Sequence, residues 1–594
     1  MTTITRPRRP IRIANCSGFY GDRLSAMAEV LRGGEVDVIT GDYLAEFTML
    51  VLAKNRLKDP ASGYAKTFLA QVSPLLEEIA ERGVKIVVNA GGLNPAGLAA
   101  SVRDLCAKRG VVLKVAHIEG DDVVDRLDNL QAAGHRLEHL DTGKSLSNWG
   151  KSPLTANAYL GAWGIVAALK TGADIVICPR VTDASVIVGP AIWWHDWAVG
   201  DWDQLAGAVV AGHIIECGTQ ATGGNYSGFE EIPDLIRPGF PLAEIDAAGS
   251  CVITKHAGTG GAVTIGTVTA QLLYEIQGLD YLNPDVTVQL DTIRVEDCGA
   301  DRVLVTGTRG APPPATTKVA LTALGGFENS MMFVLTGLDR EKKGKLVENG
   351  FRALLQGAAI DELRFDHIGG TSEATGDQLS VTSFLRVSVK GTEQAVGRAF
   401  FDASVELGLA SYPGLFSLRT GSRAASAYGV YWPGLLPQSA LVHEAVLADG
   451  TRIAAAIPVA TSYPRELSVA EPLDVDFGET RPAHLGELFH ARSGDKGGNG
   501  NVGIWASDEA GYRWLQSALT PGVIRELLPE TRDLVVERYD LPNIRALNFV
   551  VRGLLDGGAT ETLRFDAQAK ALGEYLRAKV MDVPIALLSS NTPI

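Results

Sequence analysis

The sequence predicts an α/β fold in which a parallel-sheet domain comes first, a mixed α+β region follows, and a small α+β domain ends the chain. Three observations predict it. Short apolar segments alternate with helical segments in the first half, glycines fall at their junctions, and the pattern changes near residue 281. Apolar runs of this kind are typical of strands buried on both faces of a parallel sheet. A chain of 594 residues also exceeds what one hydrophobic core organises, so several domains are expected.

The first region, residues 1–280, is expected to hold five buried strands that alternate with helices. The predicted strands are 11–16, 36–40, 85–89, 113–118 and 174–178, and the predicted helices lie near 23–31, 64–81, 95–108 and 156–170. Pro95 suits the first turn of its helix, because its missing N–H has no partner there. This order predicts a Rossmann-like sheet, whose ligands bind outside the carboxyl ends of the strands.

The middle region, residues 281–470, shows strands in sequence before helices appear. The predicted strands are 286–289, 292–296, 302–307, 317–324 and 382–389, with helices near 341–356 and 393–407. Residues 462–482, rich in Pro, Glu and Asp, are predicted to be a linker.

The last region, residues 483–594, opens with two strands around a glycine-rich loop. Helices near 509–519, 522–528 and 566–578 and strands at 534–539, 544–551 and 583–587 follow. That alternation predicts a ferredoxin-like sandwich.

Charge and cysteine content narrow the class of protein. A net charge of −15 leaves no excess of Lys and Arg to neutralise phosphates, which argues against nucleic acid or a membrane surface as the main partner. No apolar run reaches the length of a membrane span, and the first residues lack the apolar core of a signal peptide. The six cysteines are scattered without a CxxC pair, as in a reducing compartment. We therefore expect a cytoplasmic protein with a small-molecule substrate.

The segment 493–501, SGDKGGNGN, is the most distinctive in the chain. Asp495 and Lys496 stand together among four glycines, and Asn499 follows. Two interpretations stay open. The loop is either a nest of backbone N–H groups that holds an anion with the help of Lys496, or a hairpin turn whose residues satisfy turn geometry. It is not a P-loop, because the GxxxxGK[ST] spacing is absent.

The loops after the predicted parallel strands carry most of the candidate site residues. At that edge we expect Asp22, Arg23, Asn89, Gly91, Gly92, Glu119, Asp122, Arg180 and Asp183. Their convergence favours an enzyme. Asp22, Asp122 and Asp183 also stand just before helical runs, where Asp is a favoured cap. His117, Glu119 and Asp121 present a second alternative, a divalent-metal site.

Two further glycine loops are candidates for binding an anion. Gly223 and Gly224 lie in the first, while Lys255 and Gly260 lie in the second, which leads into a helical run. Backbone N–H groups and the helix dipole at such a turn favour a phosphate or carboxylate. His256 is a candidate proton shuttle, and an exposed Lys–His turn is the alternative.

Nearly the whole chain resembles the acyclic terpene utilisation (AtuA-like) family, including its C-terminal ferredoxin-fold domain. The resemblance rests on a series of motifs: SGFYGDR (17–23), GDYLAE (41–46), NAGGLNP (89–95), EGDD (119–122), RVTDAS (180–185), ECGTQATGGN (216–225), ITKHAGTGG (253–261) and ARSGDKGGNGNVGIW (491–505). It implies work on CoA thioesters or branched carboxylic acids. It supplies no catalytic residues.

Taken together, these features predict a hydratase or lyase of branched-acid or acyl-CoA catabolism. The catalytic candidates are Asp22, Glu119, Asp183 and Asp495, and the substrate-binding candidates are Arg23, Asn89, Gly91, Gly92, Arg180, Gly223, Gly224, Lys255, Gly260, Lys496 and Asn499. The Asp495–Lys496 segment is expected to close over the site from the last domain. The alternatives are a metal-assisted hydrolase and a non-catalytic accessory subunit that binds acyl-CoA.

Cofactor and assembly are less defined by the sequence. No GxGxxG follows the first strand, so no nicotinamide or flavin fingerprint is present, and the CoA moiety of a substrate is the cofactor considered. The sequence does not show whether a metal ion is bound. A homo-oligomer is expected, and the tryptophan-rich run 193–197 is a candidate for an exposed aromatic patch.

Overall fold

The computed structural model describes residues 8–369, 377–416, 423–465 and 475–590. The strands are β1 (Ile11–Asn15), β2 (Val38–Gly41), β3 (Lys85–Val88), β4 (Val115–Glu119), β5 (Thr155–Ala158), β6 (Ile175–Ile177), β7 (Pro241–Ile245), β8 (Cys251–Lys255), β9 (Asp280–Leu282), β10 (Thr287–Gln289), β11 (Arg294–Gly299), β12 (Arg302–Thr306), β13 (Arg309–Ala311), β14 (Thr316–Thr336), β15 (Ile360–Ile368), β16 (Thr382–Gly391), β17 (Ser426–Pro437), β18 (Glu444–Val446), β19 (Arg452–Ala454), β20 (Thr480–His484), β21 (Phe489–Lys496), β22 (Asn499–Ala506), β23 (Val536–Leu541), β24 (Ala546–Val551) and β25 (Val580–Pro584).

The helices alternate with these strands through most of the chain. They are α1 (Ala26–Gly33), α2 (Glu46–Lys58), α3 (Lys66–Val72), α4 (Leu76–Arg82), α5 (Pro95–Arg109), α6 (Leu127–Ala132), α7 (Trp163–Lys170), α8 (Ser185–His195), α9 (Trp202–Ile215), α10 (Ile265–Leu272), α11 (Arg340–Leu354), α12 (Phe400–Ala410), α13 (Glu509–Ala518), α14 (Pro521–Leu527), α15 (Leu572–Arg577) and α16 (Ile585–Ser590).

The chain divides into two compact units. The first contains Met1–Thr322, Trp432–Asp556 and Gln568–Ile594, and the second contains Ala323–Tyr431 and Gly557–Ala567. This division differs from the predicted domains 1–280, 281–470 and 483–594. Strands on both sides of residue 280 join one sheet, so the chain does not separate there. Residues 466–474 of the predicted linker lie outside the described residues.

The main sheet of the first unit has the strand order β11-β12-β8-β7-β1-β2-β3-β6-β4-β18-β19. Its centre, β1-β2-β3-β6-β4, is parallel. The outer strands are antiparallel to their neighbours, for example β7 to β1 and β18 to β4. The predicted parallel sheet is thus the middle of a larger mixed sheet. The sequence interpretation missed these flanks because it did not predict β7, β8, β18 and β19 as strands and assigned β11 and β12 to the middle region.

The parallel strands are mostly apolar because both faces of the sheet are covered. Ile13, Val87 and Val176 belong to a core shared with α7, α8 and α9. Ile39 and Ile86 belong to a second core on the other face, with α1, α3, α4 and α5. Continuous burial explains why these strands do not alternate with polar residues.

Two predicted elements differ in type from the observed ones. The helix predicted over 156–170 begins as a strand, β5, which pairs antiparallel with β14, and only α7 is helical. The closing strand was predicted over 583–587. The observed strand β25 ends at Pro584, and α16 begins at the next residue, Ile585. The helix at Pro95 is confirmed: Pro95 is its first residue, Asn94 caps it, and Gly110 ends it.

The C-terminal part of the first unit contains a four-stranded antiparallel sheet of two hairpins, in the order β21-β22-β24-β23. A core that includes Phe549 and Leu515 lies between this sheet and its helices α13, α14 and α15. The separate pair β20–β25 brings the two ends of this part together.

The second unit forms its own antiparallel sheet in the order β15-β16-β14-β17. Its elements follow one another as β14, α11, β15, β16, α12 and β17. This β-α-β-β-α-β order with the split βαβ arrangement is ferredoxin-like. Its core is formed by the helices and one face of the sheet, with Phe351 and Phe400 at its centre. The sequence predicts only a mixed α+β region here.

Candidate functional site

Polar residues at the carboxyl ends of β2 and β3 hold each other in place. Asn89 follows β3, and its Oδ1 accepts a hydrogen bond from the Tyr43 N–H at 2.7 Å. Its Nδ2 donates to Asp42, which follows β2. Asn89 is fully buried and Asp42 is 7% exposed. Asn89 therefore fixes the loop after β2 and presents the Asp42 carboxylate at this edge of the sheet.

The loop after β6 adds an ion pair next to them. Arg180 Nη1 lies 2.7 Å from Asp183 Oδ1 and donates to Leu44 O at 3.1 Å. The guanidinium also lies 4.2 Å from the centre of the Tyr159 ring. Three kinds of contact thus orient a cation that is 3% exposed. Asp183 keeps 19% of its side chain exposed, so it is the solvent-facing member of the pair.

The C-terminal sheet is attached to the segment after α10 by two asparagines. Asn501 Nδ2 donates to Leu273 O at 2.9 Å, and its Oδ1 accepts from the Glu275 N–H at 3.0 Å. Asn548 Nδ2 donates to Ile276 O at 3.3 Å. These contacts bring the end of β21, with Asp495 and Lys496, to Glu275.

Charged side chains from both parts form one group, here called the ion cluster. Its members are Asp42, Glu46, Arg180, Asp183, Glu216, Glu275, Lys318, Asp495, Lys496 and Lys570. Direct pairs join Lys318 to Glu46 at 2.8 Å and Lys570 to Asp495 at 3.3 Å. Lys496 lies 3.7 Å from Glu275, and the charge of Asp183 also acts on it electrostatically.

Burial shifts several of these groups away from their ordinary protonation. Burial and the nearby Asp183 carboxylate raise the pKa of Asp42, against the opposing charge of Arg180. Burial and Glu275 raise the pKa of Asp495 to about 6, against the opposing charge of Lys570. A carboxyl group with a pKa of about 6, such as that of Asp495, exchanges protons near neutral pH.

At Lys496, nearby negative charges outweigh the effect of burial on the pKa. Burial disfavours its charge, but Glu275, Asp183 and Glu46 outweigh burial and raise the pKa of Lys496 well above its ordinary value. Its side chain is 31% exposed, and the raised pKa keeps the ammonium charged at neutral pH. A fixed positive charge is thus available beside carboxyls of raised pKa.

Glu216, at the end of α9, contributes a buried carboxyl with a free oxygen. Its Oε1 lies 3.3 Å from His213 Nδ1, while its Oε2 has no hydrogen-bond partner within the described ranges. Burial, with Asp183 adding to it, raises the pKa of Glu216, although His213 and Lys496 oppose the shift. A buried carboxyl oxygen without a hydrogen-bond partner is costly and uncommon in folded proteins.

The glycine-rich segment is a hairpin rather than an anion-binding loop. Residues predicted as loop, Ser493–Lys496 and Asn499–Asn501, lie in β21 and β22 and pair in register. Only Gly497 and Gly498 form the turn, and Gly497 has φ of 59°. Because the ladder of β21, β22 and β24 uses the backbone groups, the predicted nest does not form. Asn499 joins two loops, with Nδ2 2.8 Å from Asp141 and Oδ1 accepting from the Gly553 N–H.

Two predicted residues of the first loop stabilise the loop itself. Asp22 accepts hydrogen bonds from the Gly18 N–H at 2.9 Å and the Arg23 N–H at 2.8 Å. Arg23 pairs with Glu29 at 2.6 Å and lies over the Phe240 ring. Both lie at the same edge of the sheet, but Asp22 bonds to its own loop, and Arg23 contacts α1 and the segment before β7 instead of the ion cluster.

Glu119 and Lys255 are also engaged elsewhere. Glu119 lies 2.9 Å from His117 Nε2 and 2.7 Å from Arg452, a residue of β19 that the sequence did not place here. Lys255 pairs with Asp301 at 2.9 Å and donates to Thr259 O, with 4% of its side chain exposed. A lysine held in this way fixes two loops instead of facing a ligand.

His256 and the predicted glycines serve local packing. His256 Nε2 lies 2.9 Å from Val30 O, so the imidazole holds α1. Gly91 donates its N–H to Cys178 O, and a Cβ at Gly91 would lie 2.6 Å from that oxygen. A Cβ added at any of the other predicted glycines would also come close to a neighbouring residue: Gly92 to Leu52, Gly223 to Ile232, Gly224 to Thr219 and Gly260 to Asp234.

Of the predicted site residues, the structure thus brings Asn89, Arg180, Asp183, Asp495 and Lys496 together. Sequence reasoning missed the other cluster members: Asp42, Glu46, Glu216, Glu275, Lys318 and Lys570. Asp42 had a usable signal, because it directly follows a predicted parallel strand. Glu216 and Glu275 follow helices, where an acidic residue carries no pattern of its own.

The predicted aromatic patch is partly buried. Trp194 Nε1 donates to Arg9 O at 3.0 Å, and the Arg9 guanidinium lies 5.0 Å from the Trp194 ring. Homo-oligomer formation stays a prediction.

Asn15, at the end of β1, connects the sheet to the segment that carries Glu216. Its Nδ2 lies within 2.9 Å of three carbonyl oxygens, those of Ser17, Ile215 and Glu216. Asn15→Ala removes a donor from the Ile215 and Glu216 carbonyl oxygens, whereas Ser17 O still accepts from the Asp42 N–H at 2.9 Å. We therefore expect the free energy of unfolding to fall by about 2–4 kcal/mol in urea titrations. Asn283→Ala is the control, because the Asn283 Nδ2 is buried without a partner in the described part of the chain. Equal losses in both variants would show that cavity formation, not the hydrogen bonds, accounts for the effect.

Asp121 predicts a pH dependence of stability. It accepts from Asn157 Nδ2 at 2.7 Å, and burial together with Asp122 raises the pKa of Asp121 to about 7. The folded state therefore holds a proton that the unfolded chain releases near pH 4, so stability falls as pH rises from about 4 to about 7, by roughly 3–4 kcal/mol. Asp121→Asn should flatten the urea-unfolding profile in this window. An unchanged slope in the variant would contradict the assignment.

The described residues contain neither a metal-binding cluster nor a membrane-spanning helix. Within residues 8–369, 377–416, 423–465 and 475–590, no group of three or more His, Cys, Asp or Glu side chains is arranged to hold a metal ion. No helix among those residues is both long and apolar enough to cross a bilayer.

Comparison with known proteins places the chain in a family. No curated protein is similar enough to count as a match. The family described as acyclic terpene utilisation family protein AtuA matches residues 11–447, which cover β1 to β18 and all ten cluster members except Asp495, Lys496 and Lys570. The AtuA ferredoxin-like domain matches residues 483–582, which carry those three. The match covers both halves of the ion cluster and confirms the resemblance read from the motifs: the chain belongs to the acyclic terpene utilisation family AtuA.

Proposed function

We propose that the chain is a hydratase or lyase of branched-acid or acyl-CoA catabolism, and that the ion cluster is its active site. One observation carries the proposal. Carboxyls of raised pKa, Asp42, Glu216 and Asp495, lie with the cations Arg180 and Lys496 in one group of side chains that solvent partly reaches. Acid–base groups next to fixed positive charge are what reactions beside a carbonyl need.

The proposed elimination uses these groups in distinct roles. A cluster carboxylate removes the proton next to the carbonyl, and the C–H electrons form the double bond. The β C–O bond breaks, and the hydroxyl leaves as water after a second, protonated carboxyl donates its proton. Lys496 stabilises the negative charge that develops on the carbonyl oxygen. Hydration is the same sequence in reverse.

Asp495 and Asp183 are the strongest acid–base candidates for contact with a substrate. Asp495 has a pKa of about 6, so at near-neutral pH it can both donate and accept a proton. Asp183 is partly exposed, while Asp42 and Glu216 are more deeply buried and suit a supporting role. Membership of a family named for acyclic terpene use supports a branched carbon chain in the substrate.

A direct assay tests this function. Purified protein is incubated with branched enoyl and 3-hydroxyacyl CoA thioesters and with the free acids, and the α,β-double bond is followed by ultraviolet absorbance and mass spectrometry. We expect water to be added to or removed from at least one thioester or acid. Tight binding without turnover, with activity only after a partner enzyme is added, would support an accessory role. Absence of both binding and turnover across the panel would refute the proposal.

A further inference from the structure

Glu275 occupies an unusual backbone conformation directly beside the ion cluster. Its φ is 59°, in the left-handed region that a residue with a side chain rarely adopts. Its N–H donates to Asn501 Oδ1 at 3.0 Å, and Asn501 Nδ2 donates to Leu273 O. The surrounding contacts therefore hold a conformation that costs free energy, which is common at functional sites.

The side chain of Glu275 joins two cations of the C-terminal part. Its Oε2 lies 3.7 Å from Lys496 Nζ, and its Oε1 lies 3.3 Å from Lys570 Nζ. Lys570 lies in turn 3.3 Å from Asp495 Oδ1. One carboxylate thus contacts both lysines, and through Lys570 it reaches the acid–base candidate Asp495.

The fit of β21 against this segment is close. A Cβ at Gly494 would lie 2.6 Å from the Tyr274 ring and 3.1 Å from Glu275 Cγ. Gly503 is similarly close to Leu273. Both glycines therefore let the strands approach near enough for Lys496 to reach Glu275.

We propose that Glu275 is a positioning residue: its left-handed backbone and its carboxylate together set the place and charge of Lys496 and Lys570 for the reaction. The catalytic consequence rests on the proposed function, whereas the effect on Lys496 does not. The charges around Lys496 agree with the proposal. Burial raises the pKa of Glu275, but Lys496 and Lys570 outweigh burial and lower it below its ordinary value.

The first test measures the titration of Lys496 without any substrate. Lysines are reductively methylated with ¹³C-formaldehyde and titrated by NMR, and the Lys496 signal is identified by its loss in Lys496→Met. The groups that act on Lys496 are Glu275, Tyr281, Asp183, Glu46, Glu216 and Lys318. In Glu275→Gln the burial remains and the nearest carboxylate is gone, so we expect Lys496 to titrate at lower pH. Lys170, on the surface beside Asp196, should titrate unchanged. An unchanged Lys496 titration would overturn the proposal.

A second variant separates charge from backbone conformation. Asn is tolerated in the left-handed region better than most residues, so Glu275→Asn keeps the turn while it removes the charge. We expect it to fold, as judged by near-ultraviolet circular dichroism, and to shift Lys496 in the same direction as Glu275→Gln. A wild-type Lys496 titration in folded Glu275→Asn would equally overturn the proposal.

Where a substrate is found, kinetics add an independent readout. Misplacing a catalytic group by about 1 Å can cost roughly a hundredfold in rate, so we expect that loss in kcat for Glu275→Gln with KM little changed. Glu275→Asp should recover part of it. Wild-type kcat in Glu275→Gln, alongside a shifted Lys496, would refute the catalytic role alone. Failure of the whole substrate panel would refute the proposed function and leave the titration result standing.

Discussion

Replacing Lys496 by methionine is expected to lower kcat/KM by roughly a thousandfold, the loss typical of removing a group that stabilises a developing oxyanion. Methionine keeps most of the length and the apolar stem of lysine but removes the charge. Lys496 carries that charge securely, because Glu275, Asp183 and Glu46 outweigh burial and raise its pKa. Steady-state kinetics on the substrate found in the panel would measure the loss.

Controls distinguish catalysis from folding in this variant. Lys170→Met removes a lysine from a surface pair with Asp196, 2.9 Å apart, and should leave kcat/KM unchanged. The double variant Asp495→Ala, Lys496→Ala should have no measurable turnover. Full activity in that double variant, with a folded protein, would show that the C-terminal hairpin takes no part in the reaction.

Replacing Arg180 by methionine is expected to have the largest effect on stability, a loss of about 3–5 kcal/mol, because it leaves the paired carboxylate without its counter-charge. Arg180 is 3% exposed and lies 2.7 Å from Asp183, and its charge also opposes the raised pKa of Asp42. Urea unfolding of Arg180→Met at neutral pH would measure the loss.

A double variant tests whether the loss comes from the unpaired charge. Asp183→Asn added to Arg180→Met removes that charge, so the double variant should be more stable than Arg180→Met alone. Arg180→Lys keeps the charge but not the contacts to Leu44 O and the Tyr159 ring, and it should fall between the wild type and Arg180→Met. A double variant no more stable than Arg180→Met would assign the loss to packing instead.

The centre of the main sheet was readable from the sequence, and its flanks were not. β1, β2, β3, β4 and β6 are apolar runs between helices, which is the pattern of a strand buried on both faces. At one edge, β11 and β12 were predicted as strands, but nothing in their sequence shows that they join this sheet. At the other edge, β18 and β19 have three residues each, too few for any periodicity.

The sequence predicted only those residues of the candidate site that follow a parallel strand or stand among glycines. Asn89, Arg180 and Asp183 follow parallel strands, and Asp495 and Lys496 stand among glycines. Glu275 follows a helix and acts through a lysine far along the chain, which no local pattern reveals. Lys255 shows the converse, because its glycine-rich surroundings suggested a ligand while Asp301 already holds it.

The pairing of β18 with β4 has a consequence for how the protein is made. During synthesis His117 and Ile118 leave the ribosome long before Val446 and Ala445, the residues that pair with them. Until then the edge of β4 offers open backbone groups to any other strand, and the long separation slows the closing of the sheet. A chain that stops at residue 280 would retain bare edges at β4 and β8, and we expect it to aggregate in cells unless a chaperone shields it.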